Sequence, residues 1–191
     1  MAKLVGVLGA QRAGKDTFGK VVIAHDKSCK LSAFGDVLKE ELGWNGNDWS
    51  GPKSDRGRKL LQEYGEGKRR EYSNYWIDRL HNKIKDYADC TIVTDVRYIN
   101  EIEFVLKNKG DLVYIHNEKK EDEFIEDFKK TGHVHPSELQ WRIWMAGHPN
   151  DYKTIPNNGS LDEYEEEIFA HSFFNNIRRF GDENQKRIRE Q

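Results

Sequence analysis

The stretch Leu4-Val5-Gly6-Val7-Leu8-Gly9-Ala10-Gln11-Arg12-Ala13-Gly14-Lys15-Asp16-Thr17 decides how the rest of the chain is read. Its apolar first half predicts a buried strand, its glycines a turn, and the residues from Lys15 onward the start of a helix. Glycines let backbone amides curl around an anion without obstruction, and a helix N-terminus adds partial positive charge. At the spacing G-x-x-x-x-G-K, Lys15 can reach the outer phosphates of a nucleoside triphosphate, and a hydroxyl at the helix start can face Mg²⁺. Asp16 stands where Ser or Thr is usual, and Thr17 comes next. A strand-to-helix turn with no ligand is the plainer alternative.

Outward from this loop, apolar runs alternate with helical patterns, which predicts βα units around a parallel sheet. Helix is expected over 17–24, then a strand over 30–34 and a helix through Leu38 and Leu42. A Gly-, Asn- and Trp-rich loop is expected over 43–55. Helical periodicity runs through Leu60, Leu61 and Tyr64 and again over 76–84, with strands at 91–94 and 112–115 around a helix at 99–108. The charged span 117–147 shows no strand pattern, and 152–155 reads as the last strand. Asn157-Asn158-Gly159 is turn chemistry, and Ser160 with Glu163 predicts a capping box. The charged end after Phe180 reads as a frayed helix or tail.

Composition bounds the function. The 191 residues suit one domain, with 36% hydrophobic and 34% charged residues. A formal net charge of −2 gives no general pull toward nucleic acid. Cys29 and Cys90 lack metal or redox spacing and read as buried thiols of a reducing compartment. No run suits a signal peptide or membrane span, so a cytoplasmic protein with no membrane partner is expected.

Two further clusters carry chemistry. In Thr91-Ile92-Val93-Thr94-Asp95-Val96-Arg97, a carboxylate falls at the C-terminal end of a buried strand, the ligand edge of an open α/β sheet. Beside a phosphate loop, Asp95 would orient Mg²⁺ and Arg97 would face phosphate. The structural alternative makes Asp95 a helix cap and pairs Arg97 with Glu101. In Arg56-Gly57-Arg58-Lys59-Leu60-Leu61-Gln62, with Lys68-Arg69-Arg70 beyond, two basic groups could clamp a second anion. Gln62, one helical turn from Arg58, could read a base edge. A solvated basic face explains the same residues. His133 and His135 suggest lid packing or substrate contact before a metal. Trp141 and Trp144, at helical spacing, suggest core packing, within the chain or across a homodimer.

Taken in order, these segments resemble the deoxynucleoside monophosphate kinases of bacteriophages. That group lies among the small P-loop kinases that include dephospho-CoA kinase and animal phosphomevalonate kinase. The matching pieces are Gly14-Lys15-Asp16-Thr17, the stretch 33–39, and Arg58-Lys59-Leu60-Leu61-Gln62-Glu63-Tyr64-Gly65 with Arg70 and Trp76. They continue with Thr94-Asp95-Val96-Arg97, Asn100-Glu101, His135-Pro136-Ser137-Glu138 and the stretch 155–161. The Gly-Lys-Asp-Thr ending is typical of the group.

The resemblance implies an adenylate kinase-like P-loop NTPase fold: three α/β/α layers around a central parallel sheet. It implies one domain over 1–191, with an acceptor-binding helical arm at 43–80 and a lid at 117–147. ATP and Mg²⁺ would be used, with a small nucleotide as partner and no nucleic acid. Gly9, Arg12, Ala13, Gly14, Lys15, Asp16 and Thr17 would hold ATP, with Asn157 and Gly159 near the adenine. Asp36, Lys39, Arg58, Gln62, Arg69, Arg70, Trp76 and Arg97 would serve the acceptor. Lys15, Asp95, Arg97 and Arg70 would serve the transfer, and Asp16, Thr17 and Asp95 the metal.

Two departures stand out. Pro156 occupies a place where the family often has another residue. Relatives often carry an arginine just after the strand that here ends Ile115-His116-Asn117, so Lys119, Lys120 or Arg142 would substitute. Two other functions fit the motifs: a kinase acting on a hydroxyl group with Asp36 as base, for example on a hydroxymethylated base in phage DNA, and a non-catalytic nucleotide-binding module.

Overall fold

The computed structural model describes residues 3–43, 55–85 and 89–170, apart from the side chains of 55, 56 and 58. Residues 44–54 of the loop expected over 43–55, and the tail after Phe180, lie outside the described residues, while Asp55, expected in that loop, already begins a helix.

In chain order the elements are β1 (Lys3–Leu8), α1 (Lys15–His25), β2 (Cys29–Ser32), α2 (Phe34–Glu41), α3 (Asp55–Glu71) and α4 (Tyr75–Ile84). They continue with β3 (Cys90–Val93), α5 (Ile99–Lys107), β4 (Asp111–His116), α6 (Glu118–Thr131), α7 (Pro136–Gly147), β5 (Lys153–Pro156) and α8 (Leu161–Ala170). The second strand is shorter than its apolar run, because Phe34 turns inward as the first residue of α2 after an extended Ala33. The strandless charged span folds as two helices, α6 and α7.

The five strands form one sheet in the order β2-β3-β1-β4-β5, and the β1–β3, β1–β4 and β4–β5 pairings are parallel. Strand β1, with the phosphate-loop motif at its C-terminal end, therefore occupies the centre. Parallel strands covered on both faces read as continuous apolar runs rather than alternating ones, and β1 does so. Val5 and Val7 join a core with Phe18, Val21 and Val22 of α1 and with Tyr164 and Ile168 of α8. Gly6 faces the other way, toward Val105 of α5. The sheet thus lies between helical layers.

The chain divides into two compact units, one comprising Met1–Leu31 with Tyr87–Gln191, the other Ser32–Asp86. In the second, Glu41 of α2 accepts hydrogen bonds from Tyr64 of α3 (2.8 Å) and Tyr75 of α4 (2.6 Å), and Arg79 pairs with it at 3.1 Å. Burial acts against the Glu41 charge, but those hydroxyls and Arg79 hold its carboxyl below the usual range. Among the described residues, no helix is long and apolar enough to cross a membrane.

Candidate nucleotide-binding site

The loop between β1 and α1 has the backbone its sequence requires. Gly9 sits at φ 144° and Gly14 at φ 104°, conformations open to glycine and strained for other residues. A Cβ on Gly9 would lie 2.8 Å from the Ile115 carbonyl, and one on Gly14 2.3 Å from the Asn157 amide nitrogen. Arg12 also adopts a positive φ and is exposed, whereas Ala13 is buried. No side chain caps the first turn of α1, so its amides remain available to an anion.

Lys15 opens α1 at 7% exposure, and its Nζ donates to the carbonyls of Gly9 (2.8 Å) and Ala10 (2.6 Å). Burial, then the nearby Arg97 guanidinium, lowers its pKa to about 8, while Glu138, Asp16 and Asp95 oppose the shift. The two cations thus repel one another, and a phosphate chain bound at this loop would neutralise both. Asp16 is exposed and Thr17 half-buried.

Asp95 lies in the turn after β3 and Arg97 just beyond it, at the same end of the sheet as the loop after β1. The Glu101 carboxylate accepts from the backbone N–H groups of Arg97 (2.8 Å) and Tyr98 (3.1 Å), the reach-back arm of a helix cap. The Arg97 side chain pairs with Glu138 of α7. The Arg97–Glu101 link of the structural alternative is therefore made by the backbone, and the guanidinium goes elsewhere.

A third segment closes on the loop. Asn157, just after β5, donates from Nδ2 to the Ala13 carbonyl at 2.8 Å, and its own backbone N–H donates to the His116 carbonyl at 2.7 Å. Asn117 Nδ2 donates to the Asn157 carbonyl, and Tyr164 of α8 reaches the Gly14 carbonyl at 3.3 Å. The turn that the resemblance puts beside ATP is thereby tied to the glycine loop through Asn157. The predicted capping box is present: Ser160 N donates to Glu163 at 2.7 Å, and Glu163 N to the Ser160 hydroxyl at 3.3 Å. Gly159 is exposed, at the rim of a cleft of about 570 Å³ that Pro156, Asn158, Glu163 and Tyr164 also line.

In the Ser32–Asp86 unit, exposed Asp36 pairs with Lys39 at 2.8 Å. Gln62 and Arg70 are exposed on α3, where Arg70 Nε donates to the Glu66 carbonyl at 3.4 Å and Arg69 lies 3.8 Å from the Glu66 carboxylate. Arg58 falls on α3, but its side chain lies outside the described residues. Trp76 is 1% exposed and donates to the Gly65 carbonyl at 3.1 Å. Its place is in packing α4 against α3, so contact with a ligand would require rearrangement.

The two halves of the 117–147 span differ. Helix α6 has no buried residue, whereas α7 buries Trp141, Trp144 and Met145 within the chain. His135 caps α7, its ring nitrogen accepting from Ser137 N at 3.2 Å. Lys120 is paired with Glu123, and Arg142 is bound by Glu121 at 2.8 Å and Glu138 at 3.2 Å. Cys29 and Cys90 are buried free thiols in contact, and that contact with burial pushes the Cys29 thiol up.

These residues fit a magnesium nucleotide. The glycine cradle leaves no room for a Cβ, and among the described residues the Lys15 ammonium bonds only to the loop carbonyls of Gly9 and Ala10. Thr17, Asp16 and Asp95 carry oxygen atoms of the kind such a metal would take beside phosphate and water. Among the described residues, no group of three His, Cys, Asp or Glu forms a dedicated metal cage.

No protein-family model matches the chain, and no curated protein sequence matches it. Solved structures do. A dephospho-CoA kinase from Campylobacter jejuni aligns at TM-score 0.53 and 13% identity, covering 92% of this chain and 97% of that one. A gluconokinase from Sinorhizobium meliloti 1021 aligns at TM-score 0.48 and 15% identity, over 97% of both chains. A shikimate kinase from Aquifex aeolicus vf5 aligns at TM-score 0.48 and 12% identity, over 91% of this chain and 97% of that one. Sheet order, the glycine loop after the central strand and the dephospho-CoA kinase likeness together establish the fold as that of a P-loop kinase.

Proposed function

We propose that this chain is an ATP-dependent kinase that transfers the γ-phosphate to the 5′-phosphate of a deoxynucleoside monophosphate, giving the diphosphate. The observation that carries the kinase reading is Lys15, buried in a glycine cradle and bonded to the Gly9 and Ala10 carbonyls, with no side chain capping the first turn of α1. Lys15 and Arg97 neutralise charge on the transferring phosphate, which is most of what phosphoryl transfer asks of a protein. Asp16, Thr17 and Asp95 hold Mg²⁺, which screens the phosphates when bound. Asn157 and Gly159 border the adenine.

The acceptor assignment rests on the resemblance and on the basic residues of α3. Arg58, Gln62, Arg69 and Arg70 bind the monophosphate, joined by Asp36 and Lys39 of α2. Trp76 serves that site by fixing α3 to α4. A phosphate acceptor needs no general base, so no carboxylate has to remain free for proton abstraction.

The test is transfer from labelled ATP with Mg²⁺ to the four deoxynucleoside monophosphates, the ribonucleotides and hydroxymethylated DNA in parallel. Diphosphate formation from a deoxynucleotide is expected. Labelled DNA with inert monophosphates would transfer the assignment to a hydroxyl acceptor and Asp36. ATP binding with no transfer to any acceptor would favour a nucleotide-binding module.

A further inference from the structure

The structure places a carboxylate in this site that neither the phosphate loop nor the acceptor residues call for. Glu138 Oε1 pairs with Arg97 Nη1, and its Oε2 lies 3.2 Å from Arg142 Nη1. All three side chains are 16–25% exposed. Arg142 is in turn fixed by Glu121 through Nη2 (2.8 Å) and Nε (3.2 Å), with its guanidinium over the rings of Phe124 (3.7 Å) and Trp141 (4.1 Å). Tyr114 of β4 donates to the other Glu121 oxygen at 3.0 Å. The chain of contacts thus runs from the sheet to Arg97, and the Lys15 ammonium feels both ends of the Arg97–Glu138 pair.

Glu138 is well suited to hold something still. It lies in the first turn of a helix whose cap is made by His135 and whose next turn buries Trp141 and Trp144. From below, Glu101 fixes the Arg97 backbone. Arg97 Nε and Nη2 have no hydrogen-bond partner among the described residues, so half of a rigid fork is anchored and half remains for phosphate oxygens.

We infer that Glu138 is a positioning residue for phosphoryl transfer: it orients the Arg97 guanidinium over the phosphate loop and is itself oriented by Arg142. This role rests on the kinase reading. It makes an unusual demand, because Glu138 is an anion beside an anion-binding site. Removing its charge should favour ground-state binding of nucleotide while the misdirected Arg97 slows the chemical step.

The experiment compares wild type, Glu138→Gln, Arg97→Ala and the double variant, each checked by thermal denaturation. Mg·ATP affinity is read by calorimetry, and turnover with whichever acceptor, or water, the wild type uses. Glu138→Gln is expected to bind Mg·ATP as tightly as wild type or up to about threefold tighter, with turnover down about tenfold or more. In the Arg97→Ala background, the same change should cost less than about twofold, since the two residues act as one unit. Unchanged turnover in Glu138→Gln overturns the role, as does an equal loss with and without Arg97. Parallel losses of affinity, turnover and melting temperature overturn it in favour of a purely structural residue. A wild type that binds no Mg·ATP overturns the kinase reading and this role together, whereas a wild type that binds and turns over beside an indifferent Glu138→Gln overturns this role alone.

Discussion

At the scale of one residue, Lys15 shows how function is set against stability. Its ammonium is buried beside Arg97, and its pKa falls from 10.5 to about 8. Below pH 8 the lysine is charged in both folded and unfolded chains, and the folded state carries the full penalty of that buried charge. Between pH 8 and 10.5 the unfolded chain binds more protons, so stability rises with pH across this window and the penalty is gone above it. The penalty is on the order of 3 kcal/mol, partly offset by the bonds to Gly9 and Ala10. Lys15→Met should therefore raise the melting temperature at pH 7, by several degrees for a chain of this size, and flatten the rise above pH 8. Thermal denaturation at pH 7 and pH 10 measures both; a fall at pH 7 would show that the cradle is not strained by its lysine.

At the scale of elements, three helices hang on one carboxylate. Glu41 gathers Tyr64, Tyr75 and Arg79 from α3 and α4, and Lys68 lies over both tyrosine rings at 5.9 and 5.3 Å. Glu41→Ala takes the acceptor from two half-buried hydroxyls at once, and should cost about 2 kcal/mol. Chemical denaturation reads this as a lower midpoint, and a midpoint matching wild type would remove Glu41 as the pin. Most elements were legible because their apolar residues recur at helical spacing or run continuously, as in 76–84 and 91–94. The Trp141 and Trp144 spacing likewise signalled a core face, which α7 buries. The end of β2 was less legible, since Phe34 extends the apolar run while belonging to the next helix. Helix α6 buries nothing and so leaves little apolar periodicity to read.

At the scale of the whole molecule, the glycine loop was legible because its strand-turn-helix context is local. The pairings that complete the site were not, since no sequence period links Asn157 to Ala13, 144 residues away, or Glu138 to Arg97, 41 away. Sequence placed Arg97 near phosphate and offered Glu101 as its partner; only the packing of α7 revealed Glu138. Arg142, read as a stand-in for the missing lid arginine, is occupied by two carboxylates. We propose that Lys15, its glycine cradle and Arg97 form a triphosphate site. Calorimetric titration with Mg·ATP at pH 7, wild type against Lys15→Met, tests that claim most directly. Saturable one-to-one binding by the wild type, weakened about a hundredfold or more in the variant, is the predicted result, consistent with loss of a buried charge contact. No binding by the wild type, or equal binding by both, would contradict it.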